Sequence, residues 1–342
     1  MKTRTLNIDL FKKTSLWMVF GLILILITPS LFNISSKTLN YTDVTSIYQS
    51  PNFNTPFGTN HFGQNLLPQL ILGCRNSLLI GLCATLLSVF IGVLLGTVSG
   101  FFGNDSLSIP KNKGLHVIVL LVLLAGVLIV SSRRLSFVHI TAWVPNVIVA
   151  IALVFGLSKS LSHSIFKLSV SERLIYLPLE NLIVNFQAIF SALPKLVIII
   201  ALSSFMEATI LNVVLIIGLT NWLQHSVLIN GEVKKYKGTE NAIWLWSSGM
   251  SKSRILFRHY LPNNIYPLKI SIPLGISSAI IIESSLSFLG LGLPSNVVSL
   301  GGLIRMGLAN FDYWWLIVFP CIGLFVILLL VFNIVGNNTK GS

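Results

Sequence analysis

The sequence predicts an all-α polytopic membrane protein, and three observations carry the prediction. Of its 342 residues, 54% are hydrophobic and only 10% are charged. The mean hydropathy of +0.84 lies far outside the range of soluble domains. The apolar residues also gather in long runs, each about the length needed to cross ~30 Å of hydrocarbon, with Lys and Arg concentrated in the short segments between them. The formal charge of +13 is therefore read as loops held at the anionic surface of membrane lipid. A nucleic-acid surface would gather its cations on one face, and this sequence scatters them.

In chain order, residues 1–33 comprise an N-terminal segment and a first helix. The apolar run 15–33 follows Lys2, Arg4, Lys12 and Lys13 and lacks a small-residue cleavage site, which predicts an uncleaved helix entered from the cytoplasm. Residues 34–76 are rich in Asn, Ser, Thr and Pro, carry only Lys37 and Arg75 as cations, and are expected outside. The segment 77–104 holds the second helix, with the span at 77–102. In it Ser88, Gly92, Gly96 and Gly100 recur every four residues, making a small-residue face against which another helix can pack closely.

Residues 105–177 contain two apolar runs, 115–131 and 137–157, that predict an inserted hairpin. The turn between them puts Arg133 and Arg134 outside, against the general charge bias, and a re-entrant or interfacial pair returns the chain to the same side equally well. Residues 178–336 carry spans at 179–205, 209–229, 265–291 and 313–336, and 337–342 is a tail. This arrangement leaves 16 of the 23 Lys and Arg residues cytoplasmic and five external. Both termini are thus expected on the cytoplasmic side of the inner (plasma) membrane.

A search for chemistry finds no Gly-x4-Gly-Lys-Ser/Thr phosphate loop, no nucleophile with a base at recognisable spacing, and no paired carboxylates. Cys74, Cys83 and Cys321 and the six histidines lack metal-ligand spacing. The expectation is a protein with no catalytic, cofactor or metal site of its own. Work against a gradient would then draw its energy from a partner.

The informative feature is a basic island, "GMSKSRILFRHYLPN" (Gly249 to Asn263), in the longest cytoplasmic segment, 230–264. Read as one helix over 240–259, Ile243, Trp246, Met250 and Phe257 fall within about 60° of one another, while Lys252 and His259 face away. Such a helix can lie on lipid headgroups. Arg254 intrudes on the apolar face, which favours a protein partner with acidic groups.

Glu240, Gly249, "RILFRHYLPN" (Arg254 to Asn263) and then "ESSLSFLGLGLP" (Glu283 to Pro294) resemble the membrane subunits of binding-protein-dependent ABC importers. The likeness is to the second permease of the dipeptide, oligopeptide and nickel group. "FGTNHFGQNLLPQLILGCRNSL" (Phe57 to Leu78) is similar to that group's external segment, and Ser191 to Pro194 to its Pro-containing third helix. The resemblance covers residues 15–103 and 178–336. It implies a type I importer core of six helices, to which the 105–177 hairpin is an addition.

The resemblance also implies partners: a second permease, two ATPase subunits that bind the ATP, and an external solute-binding protein. It makes 240–259 a coupling helix that docks on the ATPase through Glu240, Ile243, Trp246, Gly249, Met250, Arg254 and Arg258. Ile243, Trp244 and Leu245 depart from the family, which has an acidic residue and two alanines there, so a wider apolar cleft in the ATPase is implied. Asn60, Gln64 and Asn65 stand where the family has Asp, Arg and Asp, which neutralises an ionic network. Lys195 and Glu283 lie well inside spans, where an unpaired charge costs a few kcal/mol. Lys195, after Pro194, either lines a pathway for a carboxylate-bearing solute or pairs with Glu207 or Glu283; Glu283 is read as a structural partner or a pathway group. A stand-alone secondary carrier or channel using these two residues, or a membrane scaffold without transport, are the alternatives.

Overall fold

The computed structural model describes residues 21, 25–29, 44–104, 108–110, 174–176, 178–308 and 311–339. Within them run α1 (Leu66–Phe102), α2 (Leu179–Ala192), α3 (Lys195–Phe205), α4 (Ile210–Lys237), α5 (Glu240–Ser247), α6 (Lys252–Ile255), α7 (Leu261–Asn264), α8 (Leu268–Leu289), α9 (Leu300–Leu308) and α10 (Trp315–Thr339). A π-helical stretch, Leu256–Tyr260, joins α6 to α7. α1, α4, α8 and α10 are each long and apolar enough to cross a membrane, and α2 with α3 forms a fifth such unit bent by 85°. The chain is therefore the helical polytopic protein that its composition predicts. The spans expected at 115–131 and 137–157 and most of the run 15–33 lie outside the described residues, although 25–29 are helical.

Three boundaries differ from the polarity of the sequence. α1 starts at Leu66 rather than 77, because Asn65 Oδ1 accepts the Leu67 N–H at 3.0 Å and caps the helix, leaving Gln69 and Arg75 in its first turns. Its 37 residues extend roughly 55 Å, well beyond a hydrocarbon layer. α4 continues past 229 to Lys237, with Lys234, Lys235 and Lys237 in its last turn, where cations favour the helix dipole. The run 179–205 is broken at Leu193–Pro194, since proline lacks an N–H and pushes the preceding residue out of helical geometry.

The small-residue face of α1 is a packing seam, as its spacing predicts. A Cβ at Gly92 would lie 2.6 Å from His225 Cβ, one at Gly96 2.5 Å from the Ser226 carbonyl oxygen, and one at Gly100 2.8 Å from Val233 Cβ. α1 thus rides directly on α4. Outside the seam, one apolar cluster joins Leu70, Leu78, Ile280, Leu300 and Ile327, and a second joins Ile80, Ile199, Ile217, Ala279 and Leu286. α8 ends at Gly290, whose φ of +80° gives the left-handed turn, and the Leu291 N–H returns to the Leu286 carbonyl at 2.9 Å.

At one end of the bundle, residues 44–65 fold over the start of α10. Tyr48 stacks on Tyr313 with ring centroids 3.9 Å apart, Phe57 on Phe319 at 4.3 Å, and the Trp315 indole N–H donates to the Thr59 carbonyl at 3.2 Å. The substituted amides form a neutral network here. Asn60 Nδ2 and Gln69 Nε2 both donate to Gln64 Oε1, at 2.9 and 2.6 Å.

Residues 102–182 form a second compact unit. Its described part is a ribbon in which Ser108–Pro110 (β1) pairs antiparallel with Leu174–Tyr176 (β2), Ile109 facing Ile175. Asn104 Nδ2 donates to Asn181 Oδ1 at 3.0 Å, and the Asn181 N–H to Asn104 Oδ1 at 3.0 Å. The two ends of the insertion therefore lie side by side.

Gly96→Val should lower the thermal midpoint of the detergent-solubilised protein by several degrees, an overpacking cost of about 1–3 kcal/mol. Gly231→Ala, whose Cβ meets nothing within 4 Å, should leave it unchanged or raise it slightly. Joining Pro110 to Leu174 through Asn-Gly, in place of residues 111–173, should give a closed hairpin and a protein that still inserts, measured by membrane fractionation and thermal melting.

Candidate functional site

The hairpin between α4 and α8 is built from local capping signals. Thr239 Oγ1 accepts the Ala242 N–H and starts α5, with Glu240 in the first turn where an acidic group favours the dipole. The helix stops at Ser248, and Gly249 turns the chain with a φ of +72°. The single helix expected over 240–259 is thus two helices. Pro262, which has no N–H to donate, follows the π-helical stretch on the second arm, where the Leu261 N–H reaches back five residues to the Leu256 carbonyl.

That break rearranges the face predicted for the hairpin. Glu240, Ile243, Trp244 and Ser247 fall at the spacing of one helix face and are all exposed, Ile243 at 59% and Trp244 at 69%. Ala242 and Leu245 are buried. Trp246, grouped with Ile243 by the one-helix reading, turns inward instead: it stacks on Phe101 at 5.5 Å and donates its indole N–H to Tyr260 Oη at 3.2 Å. Met250 is half-buried beside the turn, and on the second arm Lys252, Arg254, Phe257 and Arg258 are exposed. Burial pushes the Tyr260 hydroxyl up from the usual phenol range, keeping it protonated. The exposed surface of the hairpin is therefore mainly apolar and cationic, with Trp244 its bulkiest side chain.

Inside the bundle, Glu283 on α8 is completely buried. Its carboxyl accepts the hydroxyls of Ser77 on α1 at 2.6 Å, Ser287 at 3.0 Å and Ser284 at 3.3 Å. These partners, rather than Lys195, satisfy it, and they tie α1 to α8. Lys195 is the first residue of α3, just past the bend, and half-buried.

The sequence reading missed the polar face of α4. Gln187 Nε2 on α2 donates to Ser226 Oγ at 2.7 Å, His225 Nδ1 and Ser271 Oγ on α8 share a hydrogen bond of 2.6 Å, and Asn230 Nδ2 donates to Ser99 Oγ on α1. One helix thus bonds to three others in a region where unpaired polar groups are costly. The signal was present: Asn221, His225, Ser226 and Asn230 interrupt an apolar run at helical spacing.

The model of the family described as binding-protein-dependent transport system inner membrane component matches residues 169–339, half of the chain and most of the bundle and hairpin just described. The oligopeptide transport system permease protein OppC of Bacillus subtilis is 23% identical over 337 residues, covering 97% of this chain and 86% of that protein. The OppC proteins of Mycobacterium bovis and Mycobacterium tuberculosis are each 26% identical over 301 residues, covering 88% of this chain and 79% of theirs. With its helical bundle, its bent Pro194 span and its hairpin between α4 and α8, the chain belongs to the binding-protein-dependent transport system inner membrane components, the permease subunits of ABC transporters.

Proposed function

We propose that this chain forms half of the translocation pathway of an importer for peptides or a related small solute, and that the hairpin Glu240–Asn264 is its docking element for an ATPase subunit. The observation that carries the reading is the exposed stripe Glu240, Ile243, Trp244 and Ser247 on a hairpin anchored by buried Ala242, Leu245, Ile255, Leu256 and Tyr260. The oligopeptide permeases among its relatives support the solute class. A second permease, two ATPase subunits and an external binding protein complete the assembly. ATP is bound by the ATPases, and this chain contributes no catalytic residue, cofactor or metal.

Docking is cytoplasmic in this reading, because Lys234, Lys235, Lys237, Lys252, Arg254 and Arg258 gather at that end of the bundle. Glu240 and Gly249 set the start and the turn of the first arm. Ile243 and Trp244 fill an apolar cleft of the ATPase, and Arg254 and Arg258 meet acidic groups around it. The roles expected of Trp246 and Met250 move from the docking face to the packing beneath it. ATP binding favours one arrangement of the ATPases, and the difference in its affinity for two arrangements is what shifts the pathway from outward to inward access. Lys195, at the bend, is positioned to attract a solute carboxylate, and Glu283 holds α1 to α8.

Trp244→Asp should abolish ATPase co-purification, since a charge replaces a buried aromatic anchor at a cost of about 2–4 kcal/mol, roughly 30-fold or more in affinity. Lys252→Ala should change affinity by well under ~1 kcal/mol. Equal pull-down by wild type and Trp244→Asp would favour a hairpin lying on lipid, a carrier or a scaffold. In a cysteine-free background, a cysteine at Ser251 should resist an impermeant thiol reagent in intact cells while one at Asn54 reacts. The opposite labelling pattern would invert the topology and remove the docking assignment.

A further inference from the structure

α4 and α8 are joined to the hairpin by the chain itself, whereas α1 meets it through side chains. Phe101, in the last turn of α1, is 1% exposed. Its ring stacks on Trp246 with centroids 5.5 Å apart and an interplanar angle of 25°, and stands edge-on to Tyr260 at 5.0 Å. Tyr260 accepts the Trp246 indole N–H at 3.2 Å, and Tyr236 closes on Tyr260 edge-on at 4.8 Å. Rings from α1, α4, α5 and the π-helical stretch thus make one aromatic cluster. A close-packed cluster of this kind passes on displacement because it cannot be compressed.

α1 is suited to receive such a displacement. The seam holds its inner half to α4 at Gly92, Gly96 and Gly100, and the Ser77–Glu283 hydrogen bond holds its other half to α8. Phe101 and Ser77 are roughly 36 Å apart along a continuous helix. The two tryptophans of α5 divide the work by geometry. Trp244 is 69% exposed, and Trp246, about 200° further around the helix, meets Phe101.

We propose that Trp246 is a positioning residue that passes movement of the hairpin into α1 through its stack on Phe101, with Tyr260 fixing the indole plane. The inference rests on the ATPase-docking reading above and extends it to a helix that the hairpin does not adjoin in sequence.

The test uses the assembled complex with its ATPase, in a cysteine-free background, with a spin label either at Leu94 on α1 or at Ile281 on α8, both about half exposed to solvent or lipid. The readout is the spectral change when the ADP left by hydrolysis is trapped with vanadate, which needs no transported solute. In wild type both labels should respond. In Trp246→Ala and in Phe101→Ala the Leu94 response should fall by about fivefold or more while the Ile281 response and ATPase co-purification persist, and the double variant should lose no more than either single one. Trp246→Phe, which keeps a ring on Phe101, should restore most of the Leu94 response. Phe101→Leu replaces Phe101→Ala if alanine prevents insertion. A Leu94 response that survives removal of either ring overturns the inference, as does a wild-type Leu94 label that never responds. Joint loss of both responses with the ATPase still bound also overturns it, because the stack then only maintains the hairpin. If no ATPase co-purifies with wild type, the docking reading itself fails, and this inference fails with it.

Discussion

Three glycines bring the backbone of α1 against α4 so closely that a single added carbon at Gly96 would meet the Ser226 carbonyl oxygen at 2.5 Å. In hydrocarbon no hydrophobic force draws helices together, so van der Waals contact over such a seam and hydrogen bonds between helices must do so. α4 supplies both. Its Ser226, His225 and Asn230 bond to Gln187, Ser271 and Ser99 on three different helices. With α4 fixed in this way, the direction in which the chain leaves it at Lys237 is fixed too, and so is the placement of the hairpin that follows.

The consequence is that a short exposed element is carried on a stiff support. α5 has only eight residues and could not hold a helix in isolation. It persists because Thr239 caps it and Ala242 and Leu245 are buried, while Trp246 stacks on Phe101 and bonds to Tyr260. What remains outside is a stripe with a large aromatic side chain and neighbouring arginines, a composition typical of the centre of a protein interface. In the proposed assembly this stripe is the ATPase's handle on the permease.

Much of this was legible in the sequence because it depends on local pattern. The length of the apolar runs gave the helices, the four-residue spacing of Gly92, Gly96 and Gly100 gave the seam, Pro194 marked the bend, and the motifs around Gly249 and Glu283 pointed to the permease family that residues 169–339 match. The ends of α1 and α4 were not legible from polarity, because polar residues such as Gln69 continue a helix when a neighbouring amide satisfies them. The inward turn of Trp246 was hidden for a different reason. A helical wheel over 240–259 grouped Trp246 with Met250 and Phe257, and the left-handed φ at Gly249 puts both of those beyond the end of α5. The contact with Phe101 joins residues far apart in sequence, which no periodicity reports. Similarly, Glu283 reads as a structural partner in the bundle, but its bond to Ser77 on α1 joins residues too far apart for any local pattern to report.

In the proposed assembly the stripe on α5 is covered by an ATPase while the packing beneath it stays intact. Amide hydrogen exchange on the membrane-embedded chain, alone and with the ATPase and ATP, measures this most directly. The account predicts that Glu240–Ser247 and the arm Lys252–Asn264 become strongly protected when the ATPase is added, with α1 and α4 slow to exchange in both states. Protection of the hairpin that is already complete in lipid alone, and unchanged by the ATPase, would contradict it.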